Sequence, residues 1–187
     1  MKNRLIIFDC FGVIFGEVAP VFLRRHLPAE SVDEIKDKLF IPADLGEVTY
    51  DELLKNISDE LGIPLEDVIP EWESLFVLDE KMVSVIRCLK KENDIALLSN
   101  APLGLVEKLI EEYDLSDLFD KVFISCNLHL AKPDAEIFRH CVSSFGKDYD
   151  ALYMIDDSIK NLEHLPSLNI IPIHYKNIEG MLDELNR

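Results

Sequence analysis

The sequence predicts an α/β fold: a parallel sheet with helices on both faces, and an all-helical cap inserted after the first strand. Three observations carry this. From about residue 79 onward, short apolar runs alternate with stretches of helical period, as strands buried on both faces alternate with covering helices. One further apolar run, Leu5-Ile6-Ile7-Phe8, stands alone near the start. Between it and the rest, residues from about 18 to 78 show helical periodicity and no convincing strand.

The elements follow in order. Leu5–Phe8 reads as the first strand, and Gly12 in Asp9-Cys10-Phe11-Gly12-Val13 as a tight turn or loop behind it. Ser31 with Glu34, and Thr49 with Glu52, form capping-box patterns. Behind the second, Tyr50, Leu53, Leu54, Ile57 and Leu61 share one helical face, and Gly62 stops the helix. Val68, Trp72, Leu75 and Phe76 make a further stripe, read as cap core rather than a ligand platform. A helix over about 80–92 precedes the strand Ile95–Leu98, and Leu105 to Tyr113 mark the next helix. Val122–Ile124 is a strand, Ile137 to Phe145 a helix, Leu152–Ile155 a strand, and Ile170–Ile173 the last strand. The implied division is a core of residues 1–16 and 80–187 and a helical cap of residues 17–79.

Composition narrows the function. At 187 residues, 48% hydrophobic and 29% charged, the chain is globular, with one domain of usual size or one carrying an insertion. No run of about 18 apolar residues occurs, so no membrane span is expected. Met1-Lys2-Asn3-Arg4 leads into an apolar run that ends at Asp9, too short for a secretory signal, so a cytoplasmic protein is expected. With 19 Lys+Arg against 36 Asp+Glu, the net charge is −17, which repels nucleic acid and anionic membranes; neither is expected as a partner. An anionic substrate would need a local positive centre. Cys10, Cys88, Cys126 and Cys141 include no C-x-x-C pair and no Arg six residues on, so zinc ribbons and cysteine phosphatase loops are excluded. All four read as small buried hydrophobes. His26, His129, His140, His164 and His174 lack metal-ligand spacing. His129, near Lys132, is the one that could approach a substrate, whereas Arg24 and Arg25 read first as a solvated helix face.

In open parallel sheets, ligands bind beyond the carboxyl ends of the strands. Asp9 follows the first strand, Ser99-Asn100 the second, Lys132-Pro133 the third after a short loop, and Asp156-Asp157 the fourth. This set suits phosphoryl transfer. A carboxylate can attack phosphorus, carboxylates can hold Mg²⁺, and Lys132 can neutralise a phosphoryl oxygen in the transition state. Ser99 and Asn100, entering a helix, would add donors and a favourable helix N-terminus.

The order and spacing of these residues resemble the haloacid dehalogenase-like hydrolases, in the subgroup whose Rossmann-like core carries a helical cap after the first motif. The motifs are Phe8-Asp9-Cys10-Phe11-Gly12-Val13, Leu98-Ser99-Asn100, Ala131-Lys132-Pro133-Asp134 and Ile155-Asp156-Asp157-Ser158, with Asn161 a turn further on. The resemblance implies a phosphatase of a small phosphorylated metabolite. Asp9 would be the nucleophile. Asp9, the backbone carbonyl of Phe11, and Asp157 or Asp156 would hold Mg²⁺, with Asp157 preferred as direct ligand and Asp156 in support. Ser99, Asn100 and Lys132 would hold the phosphate.

One departure matters. Phosphatases of this family usually carry a second Asp two positions after the nucleophile, as general acid and base. Here that position is Phe11, which can do neither. Glu17, Asp44 and Glu47 of the cap are possible stand-ins, and spacing selects none of them. An aromatic residue there also resembles the metal-independent haloacid dehalogenases. Against this, the pair Asp156-Asp157 suits a cation and would otherwise repel Asp9. A third reading is a relative that binds a phosphorylated ligand or a protein and turns over slowly or not at all.

Overall fold

Five strands, β1 (Arg4–Phe8), β2 (Asp94–Ser99), β3 (Lys121–Ile124), β4 (Ala151–Asp156) and β5 (Ile171–His174), form one sheet in the order β3-β2-β1-β4-β5. All pairings are parallel. The computed structural model describes residues 3–186; Met1, Lys2 and Arg187, at the outer limits of the expected core, lie outside the described residues. The helices are, in chain order, α1 (Ala19–His26), α2 (Ala29–Asp44), α3 (Tyr50–Leu61), α4 (Leu65–Glu73), α5 (Glu80–Leu89), α6 (Leu105–Glu112), α7 (Ser125–Leu128), α8 (Ala135–Ser143) and α9 (Ile178–Leu185).

The continuous apolar run of β1 is explained by burial on both faces. Ile6 and Phe8 pack with Met82 and Ile86 of α5 and with Val106 of α6. Leu5 and Ile7 face the other way, onto Ile137 and Phe138 of α8. All four strand residues are fully buried, each worth roughly 1.5–3 kcal/mol of transfer free energy. The fold is therefore the expected Rossmann-like parallel sheet covered on both faces.

The inserted cap has a core of its own, in which Phe22, Leu23, Leu53, Ile57, Val68 and Trp72 are buried together. Thr49 and Glu52 close the expected capping box at the start of α3. The chain leaves for the cap and returns from it side by side: Gly16 N donates to Val77 O at 2.9 Å, and Asp79 N donates to Ile14 O at 2.9 Å.

Local expectations needed correction where tertiary packing set the boundary. α2 begins at Ala29 behind Pro28, so Ser31 lies inside the helix and makes no cap. α6 begins only at Leu105, so Ser99 and Asn100 lead into a loop and do not head a helix. α8 is capped by Asp134, whose side chain accepts from Glu136 N, which leaves Pro133 just ahead of the helix, after a cis peptide. Cys10, Cys126 and Cys141 are buried as expected, but Cys88 is exposed on α5.

Candidate active site

Asp9 is the first residue beyond the central strand. Its backbone N–H continues the ladder to Ile155 O at 2.9 Å, which fixes the residue at the carboxyl edge of the sheet. Its Oδ1 accepts from Cys10 N at 2.6 Å and from Lys132 Nζ at 2.9 Å. Oδ2 has no hydrogen-bond partner among the described residues. Lys132 is itself buried and bridges to Asp156 Oδ2 at 2.7 Å. Its backbone is clamped by Asn100: Lys132 N donates to Asn100 Oδ1 at 2.8 Å, and Asn100 Nδ2 donates to Lys132 O at 2.9 Å. The second and third motifs thus act as one unit.

Asp156 ends β4 with no exposed surface. Its oxygens accept from Lys132, from Ser158 N at 2.8 Å and from Asn161 Nδ2 at 3.0 and 3.1 Å. Asp157 differs: it is half-buried and its carboxylate points at Gly12. A Cβ on Gly12 would stand 2.2 Å from Asp157 Oδ2, and the Gly12 φ of +79° is left-handed, so the turn after Asp9 accepts only glycine without strain. His174 Nε2 donates to Asp157 O at 3.0 Å and secures the backbone. Asp9, Asp156 and Asp157 bring carboxylate oxygens within 4.8 Å of one another.

Burial pushes the Asp9 carboxyl up; Lys132 opposes this, and Asp156 and Asp157 reinforce it. Burial likewise raises Asp157, with Asp156 and Glu17 adding repulsion. Burial alone would lower Lys132, but Asp9 and Asp156 outweigh it and keep the ammonium charged. Among the described residues these three carboxylates share one buried cation, Lys132.

A pocket of about 670 Å³ opens over Asp9, Asn100, Lys132 and Asp157 and is roofed by the cap. Ser99 is wholly buried behind Asn100 and does not line it. Phe11 does line it, with its ring 6.2 Å from Phe76 and 6.5 Å from Phe15. Trp72 stacks on Phe40 within the cap core, yet both Trp72 and Phe76 also line the pocket, unlike the expectation of core alone. Of the three candidate stand-ins, Glu17 lines the pocket and pairs with Arg24 at 3.3 Å, Asp44 lines it without a partner among the described residues, and Glu47 is exposed elsewhere. His129 also lines it, and its Nδ1 donates to Leu45 O at 2.8 Å. Arg24 and Arg25 lie on the solvated face of α1, paired with Glu17 and Glu71. Gly12 and Ser125 did not stand out in the sequence as site residues. Ser125 is fully buried just beyond β3, where its Oγ accepts from Ala101 N at 3.0 Å and holds the loop after Ser99. Its place directly after an apolar strand was the available signal.

A family model described as haloacid dehalogenase-like hydrolase matches residues 3–166. The sesquiterpene phosphatase astK of Aspergillus oryzae is 22% identical over 175 residues, covering 91% of this chain and 89% of that protein. The D-ribitol-5-phosphate phosphatase of Bacteroides thetaiotaomicron is 26% identical over 180 residues, covering 87% and 85%. The crystal structure of the family enzyme bt-2542 of Bacteroides thetaiotaomicron, in complex with magnesium and inorganic phosphate, superposes with a TM-score of 0.73 at 22% identity, covering 94% and 95% of the two chains. With four motifs in order on this fold, and a family match over most of its length, the chain belongs to the haloacid dehalogenase-like hydrolases.

Proposed function

We propose that this hydrolase is a Mg²⁺-dependent phosphomonoesterase that acts on a small phosphorylated metabolite through an aspartyl-phosphate on Asp9. The observation that carries this is a carboxylate beyond the central strand that keeps one oxygen free, beside a buried ammonium and two further carboxylates. The donor set fits Mg²⁺: Asp9 and Asp157 offer carboxylate oxygens, and the Phe11 carbonyl accepts no hydrogen bond among the described residues. Asp156, saturated by Lys132, Ser158 and Asn161, serves as support and leaves the direct contact to Asp157. When bound, the cation would offset the excess negative charge and draw charge from the phosphoryl oxygens.

Asp9 Oδ2 attacks phosphorus while Lys132 holds Oδ1 and a phosphoryl oxygen in place. Asn100 keeps Lys132 in register, and Ser99 packs behind it. Residues 17–79 act as the cap that covers the site and selects the alcohol. The aromatic rings of Phe11, Phe40, Trp72 and Phe76 support an alcohol with apolar surface, in keeping with the name of the sesquiterpene phosphatase relative. The charge of −17 supports a small-molecule ligand over nucleic acid or an anionic membrane, and no described helix is long and apolar enough to cross a membrane.

Phosphate release from a panel of phosphorylated metabolites, including a prenyl and a pentitol phosphate, tests this with Mg²⁺ and with EDTA. Release that needs Mg²⁺ and is lost in Asp9→Asn is expected. No release from any ester would overturn it. Halide release from a 2-haloacid without metal would favour the dehalogenase reading. Phosphate-ester binding without turnover, retained in Asp9→Asn, would favour the binding reading.

A further inference from the structure

We propose that Asp44, at the end of α2 in the cap, is the general acid and base that replaces the carboxylate missing at Phe11. The inference rests on the phosphatase reading and extends it to one residue. Five carboxylates besides Asp9 line the pocket, and four of them belong to the acidic cluster, are engaged by neighbours or are open to solvent. Asp157 stands in the acidic cluster, Glu17 pairs with Arg24, Asp134 caps α8, and Asp37 is exposed. Asp44 lies outside that cluster, is half-buried and makes no hydrogen bond or ion pair among the described residues.

Its position works against stability. A carboxylate in the last turn of a helix faces the negative end of the helix dipole. Burial adds to this and pushes the carboxyl up to about 7, although Lys132 and Lys36 pull it down. Asp44 lines the same pocket as Asp9 and Lys132. The other charged or titratable groups around it are Asp37 on its own helix, Glu17 ahead of α1, and Cys126 and His129 from the α7 side; α3 contributes only Leu53 to this lining.

The placement is rigid. Gly46, two residues on, has a φ of +77°, and a Cβ there would stand 2.6 Å from Cys126 O. That close approach seats the end of α2 on α7. His129 Nδ1 donating to Leu45 O ties the intervening residue to the core. These two contacts hold the end of α2, and Asp44 with it, against the core.

The protonated carboxyl of Asp44 gives its proton to the alkoxide oxygen as the P–O bond breaks and the Asp9–phosphorus bond forms. The resulting carboxylate then takes a proton from the water that attacks phosphorus. Inorganic phosphate leaves, Asp9 returns as carboxylate, and Asp44 returns as acid.

The test compares n-butyl phosphate, a poor leaving group, with p-nitrophenyl phosphate, at saturating Mg²⁺ over pH 5–9. Wild type, Asp44→Asn, Asp44→Glu and Asp9→Asn are assayed, with thermal unfolding as the folding control. In Asp44→Asn, kcat for butyl phosphate is expected to fall at least about 10²-fold with KM little changed. The loss of rate above about pH 7 expected of wild type should vanish with it. With p-nitrophenyl phosphate, a burst of nitrophenol equal to the enzyme concentration should precede a slow phase, because the first step no longer needs an acid. Asp44→Glu should recover part of the butyl phosphate rate. Unchanged butyl phosphate turnover in Asp44→Asn, or wild-type activity on the aryl ester alone, would overturn the role of Asp44 and leave the phosphatase standing. Activity that survives Asp9→Asn, or wild type inert on both esters, would overturn both.

Discussion

Gly12 and Asp44 are single residues whose cost to the fold points to their use. A Gly12→Ala side chain meets the end of the Asp157 side chain, which can swing away, so the stability loss is mainly that of a left-handed alanine, on the order of 1–2 kcal/mol. Swinging Asp157 away removes an expected ligand. Mg²⁺-dependent turnover should therefore fall far more than stability does, with a raised Mg²⁺ requirement in a rate titration. Unchanged Mg²⁺ dependence would count against Asp157 as ligand. For Asp44, the folded state holds its proton more tightly than the unfolded chain, whose carboxyl keeps the ordinary value of 3.8. Its contribution to stability is fully present below about pH 4 and is lost as pH rises through about 7. Asp44→Asn should then melt at least about 2 °C above wild type at pH 8, with the gain disappearing by pH 4 in parallel scans. The sequence offered Glu17, Asp44 and Glu47 as equals. Only packing separated them, because the end of α2 meets the core near Lys132 through a contact more than 80 residues away in the chain.

At the scale of elements, the strands were readable from sequence and several helix ends were not. The runs in β1, β2 and β4 are apolar because both faces are buried, so they stand out without alternation. The start of α3 was equally clear, since Thr49 and Glu52 satisfy each other's backbone donors locally. The start of α2 was not: Ser31 and Glu34 match the same pattern, but Pro28 begins the helix earlier. Thr49→Ala should cost about 1 kcal/mol and lower the melting temperature by about 2–4 °C, leaving kcat at 25 °C unchanged. Gly46→Ala should do the opposite. Its Cβ meets a backbone oxygen that cannot give way, so α2 cannot seat on α7 and kcat should fall more than stability. Equal effects of both substitutions on kcat would show that docking of α2 does not matter for turnover.

For the whole molecule, charge dominates. A net −17, with three carboxylates gathered at one sheet edge, stores repulsion in the folded state. Added KCl should raise the melting temperature by screening it. Saturating Mg²⁺ should raise it further at constant ionic strength, by about 2.7 kcal/mol of stabilisation at a hundredfold excess over the dissociation constant. EDTA should reverse that rise, and Asp157→Asn should abolish it. A Mg²⁺ effect no larger than that of KCl at equal ionic strength would argue against a specific site.

By itself the sequence determined the sheet, the inserted helical block and the four motifs. Each of these is written in short-range patterns: apolar runs, helical period, and polar residues just beyond strand ends. It also determined that no acid stands at Phe11. The tertiary structure decided the rest. It separated Asp157, open towards the pocket, from Asp156, locked by Lys132 and Asn161. It moved Ser99 behind the site and brought Asn100 forward onto Lys132. It placed Asp44 on the wall of the pocket that Asp9 and Lys132 line, and Glu47 in solvent. The last outcome depends on how cap and core meet and the others on contacts within the core, and contacts between residues distant in the chain leave no period or spacing in the sequence to read.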